Sequence, residues 1–334
     1  MSLIAYVARR IILLIPVLWG VVTLTFFVSH VIPGDAAQLI AGPRATAELI
    51  ARIRTEYGLD QPLYAQYYQY MLNLLRGDLG TSILTRRPVL HDILQYFPAT
   101  FELTTAAILV SALTGVTLGV VAAIKKDTWV DHASRVISIV GVSMPMFWMA
   151  LLMMVLFYVK LGWFPGAGRI GGEPPLRVTG LYVLDGLLTG NWEALGDAIS
   201  HLVLPVTALS YAVLSRIVRM TRASMLEVLN QDFVQTARAK GLAERTTLFK
   251  HALRNALIPV LTVIGLSYGM LLGGALATEI IFAWPGMAHY AVGSVTSLDY
   301  PAVMGVVLVI AVLYTVVNMI VDVTYGLIDP RIRY

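Results

Sequence analysis

The chain has 334 residues, of which 57% are hydrophobic and only 13% are charged. Soluble domains carry about 25% charged residues, so this composition excludes an ordinary soluble globular protein and predicts an exterior covered by lipid. The sequence has no cysteine, which excludes disulfides, thiolate metal sites and a cysteine nucleophile.

Six apolar windows are long enough to cross a bilayer, for which a helix needs about 20 residues. The windows cover residues 11–32, 99–124, 133–159, 199–218, 257–282 and 302–328. We therefore expect an all-α polytopic membrane protein with about six transmembrane helices. Arg9 and Arg10 before the first window resemble the start of a signal peptide. The window is too long for a signal-peptide core and has no clear cleavage site, so we expect it to be retained.

The charge distribution predicts the orientation of these helices. Fifteen of the 24 lysines and arginines lie on segments that share a side with the N-terminus. By the positive-inside rule, both termini are expected in the cytoplasm. The net charge of +4 is then a topology signal, and we do not expect nucleic acid as a partner.

We expect four parts along the chain. Residues 1–32 form an N-terminal segment with the first transmembrane helix, and residues 33–97 form an extracytoplasmic helical loop. Residues 98–328 form the transmembrane core of five helices, interrupted by a cytoplasmic loop at 219–256. Residues 329–334 form a cytoplasmic tail.

The extracytoplasmic loop shows helical patterning. Thr46 is suited to cap a helix that carries Leu49 and Ile53 on one face. Pro62 marks the start of a second helix. Two interpretations stay open, because such helices can simply lie on the outer membrane face or can serve as a docking surface for an extracytoplasmic partner.

Sequence motifs for catalysis are missing. The chain has no Gly-Lys dipeptide and hence no P-loop, no His-Glu-x-x-His and no Gly-x-Ser-x-Gly. We therefore predict no catalytic residue and no metal site on this chain.

A few polar residues within the windows are candidates for a translocation pathway, because ionisable groups at membrane depth are functional by default. Glu279 can face a pore and meet a substrate ammonium, or it can reach interfacial water. Asn318 and Asp322 lie one turn apart, where they can bond a neighbouring helix or line a pathway. Met144 beside Pro145 completes this set. We expect Glu102, in contrast, to be a first-turn acid of the second transmembrane helix.

Small residues predict where helices approach closely. Gly265, Gly269 and Gly273 recur every four residues along the fifth window, which indicates a smooth helix-packing face.

The segment before the fifth window is too patterned to be a linker. Residues 224–230 and 231–240 both favour helices, and Gly241 is suited to end the second one. A structured loop at this place predicts that another protein docks there.

This segment also carries a family resemblance. Ala237 and Gly241 resemble the coupling loop of type I ATP-binding-cassette (ABC) importer permeases. Gln235-Thr236-Ala237 replaces the Glu-Ala-Ala of the general motif, which is similar to the dipeptide, oligopeptide and nickel branch. Other stretches match this branch in order, namely Ile32-Pro33-Gly34-Asp35, Gly77-Asp78-Leu79-Gly80, Ser143-Met144-Pro145, Asp299-Tyr300-Pro301 and Asp329-Pro330-Arg331. Over nearly its whole length the chain resembles the first permease subunit of bacterial dipeptide importers.

The resemblance implies a type I ABC importer permease fold and a function in di- or oligopeptide uptake at the bacterial inner membrane. It implies that a short cytoplasmic helix fits a cleft on an ATPase subunit. The residues that receive this ATPase-coupling role are Gln235, Thr236, Ala237, Arg238, Ala239, Lys240, Gly241 and Leu242.

The same resemblance implies the partners. They are a second homologous permease subunit, two ATP-binding ATPase subunits, an extracytoplasmic peptide-binding protein and the lipid bilayer. ATP and magnesium are expected on the ATPase subunits, so this chain is expected to be a non-catalytic subunit without a cofactor.

Two kinds of alternative stay open. Importers of nickel, glutathione or another small solute use permeases of the same branch. A stand-alone secondary carrier is a different class, and it usually has inverted repeats and a buried ionisable site, neither of which is evident here.

Overall fold

The computed structural model describes residues 3–31, 36–42, 45–56 and 58–328. These residues are predominantly helical, and an isolated bridge between Thr81 and Pro88 is the β structure found among them. The first eight helices are α1 Leu3–Val31, α2 Ala36–Ala41, α3 Ala47–Glu56, α4 Leu63–Leu75, α5 Val89–Ile124, α6 Trp129–Ser143, α7 Met146–Met153 and α8 Tyr182–Thr189. The remaining helices are α9 Trp192–Leu229, α10 Asp232–Ala239, α11 Glu244–Thr246, α12 Arg254–Gly274, α13 Leu276–Ile281, α14 Met287–Thr296 and α15 Tyr300–Ile328. Met154–Lys160 and Thr247–Leu253 are π-helical.

Four helices within these ranges are long and apolar enough to cross a membrane, namely Val89–Ile124, Trp192–Leu229, Glu244–Gly273 and Tyr300–Val321. They correspond to four of the six predicted windows, which confirms the predicted all-α polytopic fold. The described part of the first window lies in α1, but its apolar stretch Ile12–Val28 is shorter than these four. The number of six spans therefore stays a prediction.

The predicted window 133–159 is a broken helix. Trp129–Ser143 and Met146–Lys160 meet at an angle of 105°. Met144 between them has extended backbone with φ −86° and ψ 127°, and the ring of Pro145 favours this conformation because it disfavours the α conformation for the residue before it. The break at Met144 and Pro145 thus divides one predicted span into two helical segments.

Several predicted helix boundaries are confirmed. The backbone N–H of Leu49 donates to Oγ1 of Thr46 at 3.3 Å, which is the predicted cap of α3. Helix α4 begins at Leu63, directly after Pro62. The stretches at 32–35 and 329–331 that support the family resemblance lie outside the described residues, as does the tail 329–334.

One compact unit consists of Ala99–Pro285 with Met1–Arg10 and Leu313–Tyr334. Its centre is α9, which packs against α6, α7, α8 and α12. The side chains buried there include Leu103, Leu209, Ile217, Val260 and Trp284. Asn191 caps α9 by accepting a hydrogen bond from the Ala194 N–H at 3.1 Å, so the longest helix of this unit has a defined start.

The other compact unit consists of Ile11–Pro98 and Gly286–Val312. Two buried aspartates organise its loop between α4 and α5. Asp299 accepts hydrogen bonds from Ser82 Oγ at 2.5 Å and from the Leu84 N–H at 3.0 Å. Asp92 accepts from Thr85 Oγ1 and from Tyr290 Oη. These bonds satisfy carboxylates whose burial is otherwise unfavourable.

Candidate functional site

Helix α10 carries most of the predicted coupling residues, and its buried side chains anchor it to neighbouring helices. Val234 is fully buried, and Ala237 is 8% exposed. Val234 lies in an apolar cluster with Val120 of α5, Met225 of α9 and Ala252 of the π-helical segment. The alternation of these small and apolar residues with polar ones thus gives α10 one inward face and one outward face.

The end of α10 is set by glycine, as the sequence predicts. Gly241 has φ +74°, a left-handed conformation that costs other residues energy because of their Cβ. Its N–H donates to the carbonyl of Arg238 at 2.9 Å, and the Leu242 N–H donates to the carbonyl of Ala237 at 3.2 Å. These bonds close the helix end and turn the chain sharply.

The outward face of this helix is polar and accessible. Arg238 binds Glu244 through two hydrogen bonds, Nη2 to Oε1 at 2.7 Å and Nε to Oε2 at 3.2 Å. Its side chain is 44% exposed. The other exposed coupling candidates are Gln235, Thr236, Ala239, Lys240 and Gly241.

Sequence reasoning missed Phe233 as a member of this face. It lies in the first turn of α10 and is 40% exposed. An exposed phenylalanine beside polar residues is a suitable anchor for a partner cleft, because aromatic residues including phenylalanine are enriched in the buried core of interfaces. Its position directly before the buried Val234 was the available signal.

The candidate pathway residues occupy different environments. Glu279 in α13 is fully buried, and its Oε1 accepts a hydrogen bond from Thr100 Oγ1 at 2.6 Å. At the helix break, Sδ of Met144 accepts a hydrogen bond from Tyr211 Oη at 3.5 Å. Asn318 is partly buried in α15, and the side chain of Asp322 lies outside the described part of the structure. Their role in translocation stays a prediction.

The three glycines of α12 differ in environment. A Cβ on Gly265 would overlap with the side chain of Val321, and a Cβ on Gly269 would lie 2.7 Å from Cδ2 of Tyr314. Both partners belong to α15, so the helices approach closely at these two positions. Gly273 is exposed.

The expectation for Glu102 is wrong. Helix α5 begins at Val89, so Glu102 lies in about its fourth turn and is only 8% exposed. The polar residues before the apolar window belong to the same helix, which hydropathy alone does not reveal. Such a buried carboxylate requires hydrogen-bond donors or a partner of opposite charge.

The partner of this carboxylate is Arg169, from the loop between the π-helical segment and α8. Its Nη2 donates to Oε2 of Glu102 at 2.5 Å and to the carbonyl of Gly180 at 3.0 Å. The guanidinium lies 3.8 Å from the ring centroid of Tyr182, a cation–π geometry. The Gly- and Pro-rich composition of this loop did not indicate that it contributes to a buried ion pair.

The same loop is held at a second point. Asp185 accepts hydrogen bonds from the Thr179 N–H and Oγ1 and from the Gly180 N–H, at 2.7, 2.6 and 2.9 Å. Burial by itself raises the pKa of Asp185, but these hydrogen bonds outweigh it and hold the pKa below its ordinary value. The carboxylate is therefore ionised and fixes the start of α8.

Comparison with known proteins decides the family. Residues 115–334 match the family described as binding-protein-dependent transport system inner membrane component. Residues 3–104 match the N-terminal part of such membrane components. The chain belongs to this permease family. The match and the multi-span helical architecture together confirm the predicted ABC importer permease fold.

Three relatives cover nearly the whole permease. A probable D,D-dipeptide transport system permease protein of Escherichia coli is 48% identical over 321 residues, covering 96% of this chain and 94% of the relative. A dipeptide transport system permease protein of Alkalihalophilus pseudofirmus is 45% identical, covering 99% and 100%. A glutathione transport system permease protein of Salmonella choleraesuis is 40% identical, covering 98% and 99%. All three relatives are transport permeases.

Proposed function

We propose that this permease carries dipeptides into the bacterial cell as one subunit of an ATP-driven importer in the inner membrane. The observation that supports this substrate class is the full-length similarity to two dipeptide permeases, at 48% and 45% identity. The glutathione permease is 40% identical. Glutathione, itself a small peptide, or another small solute is therefore the second candidate substrate.

The proposal divides the work among several chains. A second homologous permease completes the pathway, two ATPase subunits bind ATP and magnesium, and an extracytoplasmic binding protein delivers the peptide. This chain contributes no catalytic residue and no cofactor. The missing P-loop in its sequence supports this division.

Helix α10 is the proposed receiver of ATPase movement. Its inward face is anchored by Val234 and Ala237. The exposed residues of α10 and of the turn after it are available to a partner cleft, namely Gln235, Thr236, Arg238, Ala239, Lys240 and Gly241. This arrangement requires α10 in the cytoplasm. The lysine and arginine distribution supports that orientation, with both chain termini on the same side.

The proposed pathway includes Glu279, Asn318, Asp322 and Met144. Glu279 is supported by its burial, since ionisable residues inside membrane proteins are costly and usually functional. Met144 is supported by its extended backbone, because irregular backbone at membrane depth occurs where protein surrounds it or where it lines a cavity.

Reconstitution of the complete importer tests this function. The four membrane-associated chains and the binding protein are placed in proteoliposomes, and uptake of radiolabelled L-Ala-L-Ala is followed with and without ATP. Unlabelled D-Ala-D-Ala and glutathione serve as competitors. We expect ATP-dependent uptake that a dipeptide reduces more strongly than glutathione does.

Two results contradict the proposal. Uptake by the purified chain alone, without ATP, identifies a secondary carrier. Uptake of glutathione without uptake of any dipeptide leaves the importer assignment intact and replaces the substrate.

A further inference from the structure

Asp131, in the first turn of α6, is a fully buried carboxylate surrounded by arginines. Its Oδ1 and Oδ2 accept hydrogen bonds from Nε and Nη2 of Arg222 in α9, at 2.5 and 2.8 Å. Arg135, one turn further along α6, donates to Oδ2 at 2.5 Å. The backbone N–H of Asp127 also donates to Oδ2, at 3.0 Å. We call Asp131, Arg135 and Arg222 the α6–α9 clamp.

This clamp fixes an orientation as well as a distance. Burial of an isolated carboxylate is strongly unfavourable, and good geometry with several hydrogen bonds is needed to offset it. The side chain of Asp131 is 0% exposed, whereas Arg222 is 20% exposed. The two parallel bonds from Arg222 form a bidentate pair, which restricts rotation of one helix against the other.

The clamp joins a position near the end of α9 to a position at the start of α6. Arg222 lies about two turns before the end of α9 at Leu229, and α10 follows at Asp232. Asp131 lies at the start of α6, whose other end is the 105° bend. The clamp therefore connects the helix that leads into α10 with the helix that leads into the bend.

A second contact holds the far end of α6 to the same helix. Gly141 is buried, and a Cβ at this position would overlap with Oγ of Ser215 and lie 2.9 Å from Cβ of Ser215. The backbones of α6 and α9 thus approach closely near the bend. Helix α6 is fixed to α9 near both of its ends, by charge at one end and by close packing at the other.

We propose that Asp131 is a positioning residue that transmits movement of α10 to the bend at Pro145 through Arg222. This inference rests on the proposed function, which makes α10 the receiver of ATPase movement. When α10 is displaced, the end of α9 carries Arg222 with it, and the bidentate pair carries α6. The angle between α6 and α7 then changes with the state of the ATPase subunits.

The test uses the complete importer in proteoliposomes and measures peptide uptake and ATP hydrolysis together. Asp131→Asn keeps the shape of the side chain but removes its charge. We expect the number of peptides transported per ATP to fall about tenfold, a loss within the range of allosteric couplings, while ATP hydrolysis persists. Arg219→Gln is the matched control, since Arg219 lies one turn away on α9 and is exposed. This control should keep the wild-type ratio.

A second variant covers the case in which Asp131→Asn does not assemble. Asp131→Asn combined with Arg222→Gln removes both charges of the pair, so no unpaired charge stays buried. We expect an assembled complex with the same low ratio. A wild-type ratio in either assembled variant overturns the proposal.

A rescue experiment separates positioning from general stability. The chain has no natural cysteine, so Asp131→Cys with Arg222→Cys creates a unique pair that a short thiol crosslinker can bridge. The crosslink should restore the ratio, because it restores the mechanical connection without the charges. Equal ratios before and after crosslinking overturn the positioning role. Failure of the wild-type complex to import peptide with ATP contradicts the proposed function instead.

Discussion

Two arginine–glutamate pairs in the same compact unit show how differently identical chemistry can be used. Arg169 and Glu102 are 7% and 8% exposed, and their shortest contact is 2.5 Å. Arg238 and Glu244 are 44% and 57% exposed, and their shortest contact is 2.7 Å. The contact distances are similar, so it is the surroundings that separate the two pairs.

The buried pair stabilises the fold, because removal of one partner leaves an uncompensated charge that is largely buried. The exposed pair can exchange its partner for water at little cost. It is therefore available for new contacts with another protein. The difference indicates that the Arg169 pair stabilises this chain itself, whereas the α10 surface is accessible to a partner.

The largest effect is expected from Arg169→Ala. Loss of the guanidinium leaves Glu102 buried without its counter-ion, and we expect a loss of about 3–5 kcal/mol in stability. The melting temperature of the purified importer measures this effect. Arg177→Ala in the same loop is the control, since Arg177 is exposed. Equal melting temperatures for the two variants would remove the contrast between buried and exposed charge.

A smaller effect is expected from Gly265→Ala in α12. The added Cβ would lie 3.1 Å from Cβ of Val321 and would overlap with its Cγ2, so overpacking should destabilise the protein by about 1–3 kcal/mol. Gly273→Ala is the matched control, because Gly273 is exposed and alanine favours helices. We expect its melting temperature to be unchanged or slightly higher. A clear destabilisation by Gly273→Ala would contradict its assignment to an open face.

Gly241→Val tests the turn that ends α10. The left-handed conformation costs a residue with a side chain about 1–2 kcal/mol, and no atom beyond the two adjacent residues lies within 4 Å of a Cβ at this position. We expect normal membrane insertion with roughly tenfold weaker ATP-dependent uptake, measured in the reconstituted importer. Gly241→Asn is the control, since asparagine tolerates this conformation. Wild-type uptake by Gly241→Val would contradict the coupling assignment.

The smallest effect on stability is expected from Arg238→Ala. Its pair with Glu244 is solvent-exposed, so the melting temperature should not change measurably. Binding of the ATPase subunits, measured by co-purification at low and high salt, should weaken if Arg238 meets an acidic group of the partner. A large drop in melting temperature would show that this pair is structural after all.

Hydropathy and helix-terminus rules predicted much of this architecture. Four long helices occupy predicted windows, Thr46 caps α3 as expected, and Gly241 ends α10 in a left-handed turn. These features depend on residues close together in the chain. For the same reason, the boundaries of the segment around α10 were readable from its amphipathic pattern.

Other features required the tertiary structure. The start of α5 was missed because polar residues and Pro98 interrupt the apolar pattern of its first turns, and this error misplaced Glu102. The clamp was missed because Asp131 and Arg222 are 91 residues apart, and each by itself is typical of a charged membrane flank. The sequence alone determined the membrane class, most helix positions and the family resemblance, since composition, periodicity and motifs are local properties. Only the tertiary structure decided which charges are buried and paired, because burial and pairing depend on residues that are distant in the chain.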